Sequence, residues 1–234
     1  MSQDFLQKIQ SGATAEVAEA LEKDPELAAW RDEQGVSALL WAVYTGQRIL
    51  RDYLIAQLKE QGVALDVFEA AAIGDKLRLR VILDVEAEDH HEPEEGETGA
   101  AQAYSGDGWT ALHLAAAFGT PAAVALLVEH GASVDAVSAN AQRNQPLHAA
   151  MALGRNPETI RSLLEHGAPV NATQAGGFTP IYSAAAANRR DLAELLLAHG
   201  ANPGWKNEQG KTPAEFARER GHGEMADWLE SLAG

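Results

Sequence analysis

Gly108-Trp-Thr-Ala-Leu-His-Leu-Ala-Ala116 returns down the chain as Asn144-Gln-Pro-Leu-His-Ala-Ala150, as Gly177-Phe-Thr-Pro-Ile-Tyr-Ser-Ala-Ala185 and as Gly210-Lys-Thr-Pro-Ala-Glu-Phe-Ala217. The steps from His113 to His148, to Tyr182 and to Glu215 are 35, 34 and 33 residues. A second marker keeps the same beat. Glu129-His-Gly-Ala-Ser-Val-Asp-Ala136 recurs as Glu165-His-Gly-Ala-Pro-Val-Asn-Ala172 and again as Ala198-His-Gly-Ala-Asn-Pro203. Two markers with one period identify a stacked-repeat architecture.

Each piece of the repeat has a physical task. Thr110, Thr179 and Thr212 stand where a hydroxyl caps a helix start, and Pro180 and Pro213 follow at the first helical position, where no N–H is needed. Paired alanines (Ala115-Ala116, Ala149-Ala150, Ala184-Ala185) make a thin face on which neighbouring helices approach closely. Gly119, Gly154 and Asn188 are expected to end this first helix in the left-handed conformation. A more apolar second helix follows, with Val124–Val128, Ile160–Leu164 and Leu192–Leu197, and Gly131, Gly167 and Gly200 stop it. The connection onward, through Asp135 or Asn171, reads as a short hairpin or turn.

The pattern resembles the ankyrin repeat, whose signature is Thr-Pro-Leu-His-x-Ala at a period near ~33 residues. The copies here read Thr-Ala-Leu-His, Gln-Pro-Leu-His and Thr-Pro-Ile-Tyr, and the match covers residues 106–234. The first half has diverged further. Gly35-Val-Ser-Ala-Leu-Leu-Trp-Ala-Val-Tyr-Thr-Gly46 and Val67-Phe-Glu-Ala-Ala-Ala-Ile-Gly74 fit first helices, and this half resembles the opening repeats of bacterial ankyrin arrays. The resemblance implies an all-α ankyrin-repeat solenoid of about seven helix-turn-helix units with short hairpin connections. The units lie near residues 4–33, 34–63, 64–83, 106–138, 141–172, 175–206 and 209–234, in a single domain over residues 1–234. Arg218, Glu219, Arg220, Glu224 and Asp227 give the last unit the polar outer face of a cap.

Residues 84–105 do not fit the repeat. The acidic insertion holds Asp84, Glu86, Glu88, Asp89, Glu92, Glu94, Glu95 and Glu97 and no basic residue. Such a run reads as a solvated loop, with contact to a basic partner, through Glu88, Asp89, Glu92, Glu94 and Glu95, as the sharper alternative. The whole chain carries 18 basic against 34 acidic side chains, a net charge of -16. That balance disfavours nucleic acid and anionic membranes as partners. There is no cysteine and no secretory-type leader, so a cytoplasmic monomer is expected.

The sequence carries no nucleophile elbow and no phosphate loop, and no acid–base pair is singled out by position. No catalytic residue, cofactor or metal is therefore assigned. Asp89-His90-His91-Glu92 offers metal-ligand chemistry, but adjacent residues rarely converge on one ion. Trp41 falls on the inward framework position of Leu114, and Trp228 is expected to seal the groove of the last helix. The resemblance implies that His113 and His148 bond backbone between repeats, and it gives His130, His166 and His199 to helix C-termini. It also implies a concave groove faced by the residue before the Thr-Pro pair and by the two before the inner-helix glycine. Transferred here, these are Val36, Trp109, Asn144, Phe178 and Lys211, with Tyr44, Phe118 and Leu153 among the second set. Trp109, Phe118, Leu153 and Phe178 would make an apolar stripe suited to a protein partner with a basic or apolar segment. The expected function is a protein-binding scaffold. An acidic inhibitor or immunity-type protein against a basic enzyme or toxin is the alternative, and an enzyme with a site at the groove or insertion is more remote.

Overall fold

The computed structural model describes residues 2–88, 99–154 and 156–233. Among these, fourteen α-helices follow one another in antiparallel pairs and no strand occurs. The pairs are α1 (Ser2–Ser11) and α2 (Thr14–Lys23), α3 (Ala38–Tyr44) and α4 (Arg48–Glu60), α5 (Val67–Ile73) and α6 (Lys76–Glu88), α7 (Ala111–Ala117) and α8 (Pro121–Glu129). They continue as α9 (Pro146–Ala149) and α10 (Pro157–Glu165), α11 (Pro180–Ala186) and α12 (Arg190–Ala198), α13 (Pro213–Glu219) and α14 (Gly223–Leu232). The odd-numbered helices stack in one layer, and α6, α8, α10 and α12 stack in the other.

Inner helices of seven residues would not persist alone in water, because the cost of starting a helix is spread over too few hydrogen bonds. Caps and burial hold them. Thr110 Oγ1 accepts from the His113 N–H and Thr212 Oγ1 from the Glu215 N–H, while the His113 and Glu215 side chains accept in return from the cap backbone. Thr179 departs from this expectation: its hydroxyl makes no cap bond and is buried without a protein partner. The residue three places on is Tyr182, whose side chain reaches away to the next unit rather than back to the cap. Alanine then lets the layers close: Ala70, Ala71, Ala115, Ala149, Ala184, Ala185 and Ala217 are all buried. Gly119 and Gly154 do not take positive φ, unlike Asn188 at 52°. Gly119 is required by close approach instead, since a Cβ there would lie 2.4 Å from the Ala71 carbonyl oxygen.

Departures from an even period have local causes. The finger before α9 closes from the Ser138 N–H to the Asn144 oxygen, two residues wider than the Ser105–Trp109, Gln174–Phe178 and Asn207–Lys211 closures. Those two residues account for the 35-residue step. The next step, 34, has one extra residue between His148 and Pro157, which are nine apart where His113 and Pro121 are eight apart. The backbone absorbs it by loosening into a π turn over Ala150–Gly154, directly after α9.

Helix α6 continues to Glu88, so the start of the 84–105 interval is helical rather than loop. Ala87 and the two glutamates favour helix, and neither Gly nor Pro intervenes there. The interval's far end returns to the core, where Ala101 is buried. Residues 89–98, which include Asp89, His90, His91, Glu92, Glu94 and Glu95, lie outside the described residues, as does the Glu88 side chain.

Candidate functional site

The turns that join successive pairs project as fingers beside the inner helices, and fingers and helices together form the two walls of a groove. A cavity of about 900 Å³ in it is lined by Tyr44, Asp107, Trp109, Phe118, Asn144 and Leu153, with the wide finger's Ala139–Gln142 at the rim.

This cavity exists because the third pair has no finger. The link from α4 to α5 runs through Gly62 and Asp66 with no finger closure, and the Asp66 carboxylate caps α5 directly. The finger before α7 therefore leans back on the finger before α3. Gly106 lies against Gln34 so closely that a Cβ there would sit 1.3 Å from the Gln34 carbonyl oxygen. No other residue fits. Across the gap, Tyr44 Oη donates to Asp107 Oδ2 at 2.8 Å, and Ser105 Oγ donates to Oδ1 of the same carboxylate. Burial, followed by the neighbouring Asp107 charge, pushes the Tyr44 phenol well above its usual range, so it stays a donor.

Tyr44, Trp109 and Phe118 make one aromatic wall. Tyr44 lies 5.6 Å from Phe118 and 6.5 Å from Trp109, and the Trp109 and Phe118 rings are stacked within 20° of parallel. All three are half-buried. Leu153 stands beside them on the π turn with 53% of its surface exposed. Among the described residues lining this cavity, Asp107 alone is charged.

Four of the expected groove residues thus come together: Tyr44, Trp109, Phe118 and Leu153. Phe178 does not join them. It packs against Tyr182 and Phe216 at 5.2 and 5.4 Å, in a second aromatic group further along the array, so the stripe is divided in two. Lys211 lies at that far end, with its ammonium bound to Glu219. Val36 and Asn144 depart from the expectation of exposed groove residues, being 2% and 7% exposed, although Asn144 still borders the cavity. Both are drawn inward by backbone bonds: the Val36 N–H donates to Asp32 Oδ1, and the Asn144 carbonyl accepts from Ser138 N and His113 Nε2. Asn144 Oδ1 is buried without a protein partner. Asp107, the Ala139–Gln142 rim and Phe216 were not among the expected residues. The rim was signalled by the 35-residue step, whereas Asp107 depends on a finger leaning across a missing neighbour.

The histidines hold the frame. His113 Nε2 donates to the Asn144 carbonyl at 3.0 Å while its Nδ1 accepts from the Thr110 N–H, which fixes a neutral tautomer. Burial lowers its pKa to about 4. His148 repeats the arrangement toward the Ala172 and Phe178 carbonyls and is likewise lowered by burial. His130, His166 and His199 each place Nδ1 on a carbonyl one turn back, at the ends of α8, α10 and α12. Among the described residues no cluster of His, Asp or Glu could hold a metal ion, and no helix is long and apolar enough to cross a membrane.

Two family models match the chain, both described as ankyrin repeats, one over residues 68–174 and the other over 163–217. Among curated proteins, the mouse ARF GTPase-activating protein GIT2 is 41% identical over 95 residues, 41% of this chain and 13% of the relative. Mouse ankyrin repeat and SOCS box protein 16 is 40% identical over 115 residues, 46% of this chain and 25% of the relative. The mouse B-cell lymphoma 3 protein homolog is 39% identical over 114 residues, 49% of this chain and 25% of the relative. The aligned region thus spans a quarter or less of each of these relatives.

Proposed function

From a chain that belongs to the ankyrin-repeat family, we propose a protein-binding scaffold, not an enzyme, whose groove between the third-pair gap and the π turn seats a segment of a partner protein. The observation that carries this reading is the aromatic wall of Tyr44, Trp109 and Phe118 beside exposed Leu153, in a cavity of about 900 Å³. Half-buried aromatics are stiff, so they bury area on binding at little cost in side-chain entropy. With Asp107 in the cavity and a net charge of -16, the fitting segment is apolar with Lys or Arg beside it. The acidic run near residues 88–95 belongs to the same reading as a flank for the partner's basic residues, as does the alternative of an inhibitor of a basic enzyme or toxin. The GTPase-activating activity in one relative's name is not transferred, because 13% of that protein is matched.

The test is capture of partners from the native lysate on immobilised protein, compared with Leu153→Asp and Trp109→Ala. Leu153 is exposed, so its substitution leaves the fold intact. Loss of a captured protein by tenfold or more with Leu153→Asp supports the groove. Equal capture by all three proteins overturns it.

A further inference from the structure

The other face of the array carries an apolar ridge that this fold does not need. In α8, α10 and α12 the second helical residue is Ala122, Glu158 or Asp191, small or charged and exposed to water, and in α4 it is a single exposed Ile49. In α6 it is Leu77, 78% exposed. Val81 and Val85 follow at intervals of four, 54% and 61% exposed, so the three side chains form one row along the outside of the helix. The core is served by other residues of α6, Leu79 and Leu83, which are buried. A helix this apolar on its solvent side is one that finds cover.

The adjoining row says what the cover is. Positions 76, 80 and 84 carry Lys, Arg and Asp, again at intervals of four. The row turns from basic to acidic between Arg80 and Asp84. Lys76, Arg80 and Asp84 are exposed. A copy of α6 laid antiparallel across the ridge places Leu77 against Val85, Val81 against itself, and Arg80 against Asp84. Asp84 is already held, its Oδ1 3.0 Å from His130 Nε2, which fixes the carboxylate in place at the edge of the ridge. A row whose charge reverses about its apolar centre is complementary to its own two-fold image, the requirement of an isologous dimer.

We propose that the outer face of α6 pairs with the same face of a second copy of this chain, antiparallel about Val81. The interface is one helix wide, about 20 Å at 1.5 Å per residue over thirteen residues, so the dimer is weak and reversible. It leaves the groove open on the opposite layer, and it does not rest on the groove reading.

The chain has no cysteine, so a single introduced thiol reports on this geometry. Val81→Cys should cross-link to a covalent dimer under mild oxidation, while Ile49→Cys, exposed on α4, should remain monomeric. In sedimentation equilibrium of the full chain, the unmodified protein should associate with rising concentration. Val81→Asp should weaken that association at least tenfold with helix content unchanged. Arg80→Glu should weaken it too, and Arg80→Glu with Asp84→Lys should restore it by opposing the same charges in reverse. A chain that stays monomeric throughout, an Ile49→Cys that cross-links as fast as Val81→Cys, or a double variant no better than Arg80→Glu overturns the proposal.

Discussion

His113 is fully enclosed, and enclosure sets how the protein responds to acid. In the unfolded chain its imidazole gains a proton near the ordinary value of 6.5, but in the folded protein burial defers that to about 4. The folded pKa is depressed, so the stability it supports is present above 6.5 and is lost as pH falls through the window from 6.5 to about 4. For His113 the loss is roughly 3 kcal/mol, with His148 adding in the same direction. Glu69 acts oppositely. Burial, then the Asp66 charge, raises its pKa, so its contribution is present at low pH and lost as pH rises through the folded value. We expect the urea midpoint to fall between pH 7 and 4, and His113→Gln to flatten that fall; an unchanged slope would refute the assignment. At the same scale, Gly106→Ala has nowhere to put its methyl group against the Gln34 backbone. A loss of about 2–4 kcal/mol is expected by chemical denaturation, far beyond an ordinary surface Gly→Ala.

Among the elements, α5 depends most on its first turn. The Asp66 carboxylate accepts from the Glu69 N–H, Glu69 accepts from the Asp66 N–H, and Arg31 bridges both acids from the finger before α3 at 2.8 and 3.3 Å. Asp66→Ala removes the cap, a cost of about 1–2 kcal/mol, partly offset because it also removes the like charge beside the buried Glu69. Thr212→Ala in the last pair removes a similar cap that lacks the arginine, and about 1 kcal/mol is expected. The two midpoints at constant m-value decide whether the bridge adds to the cap. The π turn belongs to this scale as well. A single extra residue after α9 cannot be taken up by a regular α-helix, so the backbone widens and Leu153 is carried out onto the groove.

At the scale of the molecule, charge governs the response to solvent. With 34 acids against 18 bases, self-repulsion opposes the compact state and is screened by salt. The melting temperature should therefore rise from low ionic strength to about 0.2 M NaCl, while affinity for a basic partner falls over the same range. A protein indifferent to salt in both measurements would show that the acids are locally compensated.

How much of this was legible in the sequence follows from where each feature's cause lies. The helix pairs and their caps at Thr110 and Thr212 follow from short-range pattern, because a repeat contacts its immediate neighbours and little else, while the roles of His113 and His148 are those the family resemblance implied. The aromatic wall was legible in part: Tyr44, Trp109, Phe118 and Leu153 hold the positions expected from register, while Val36 and Asn144 turned inward. Tertiary structure alone decided the rest. The gap left by the third pair lets one finger lean on another, and that contact joins Tyr44 to Asp107 across 63 residues. The exposed row on α6 also became visible only after packing had chosen Leu79 and Leu83 for the core. The repeat was written in residue types and spacing, but the groove came from distances between units, which no single repeat encodes.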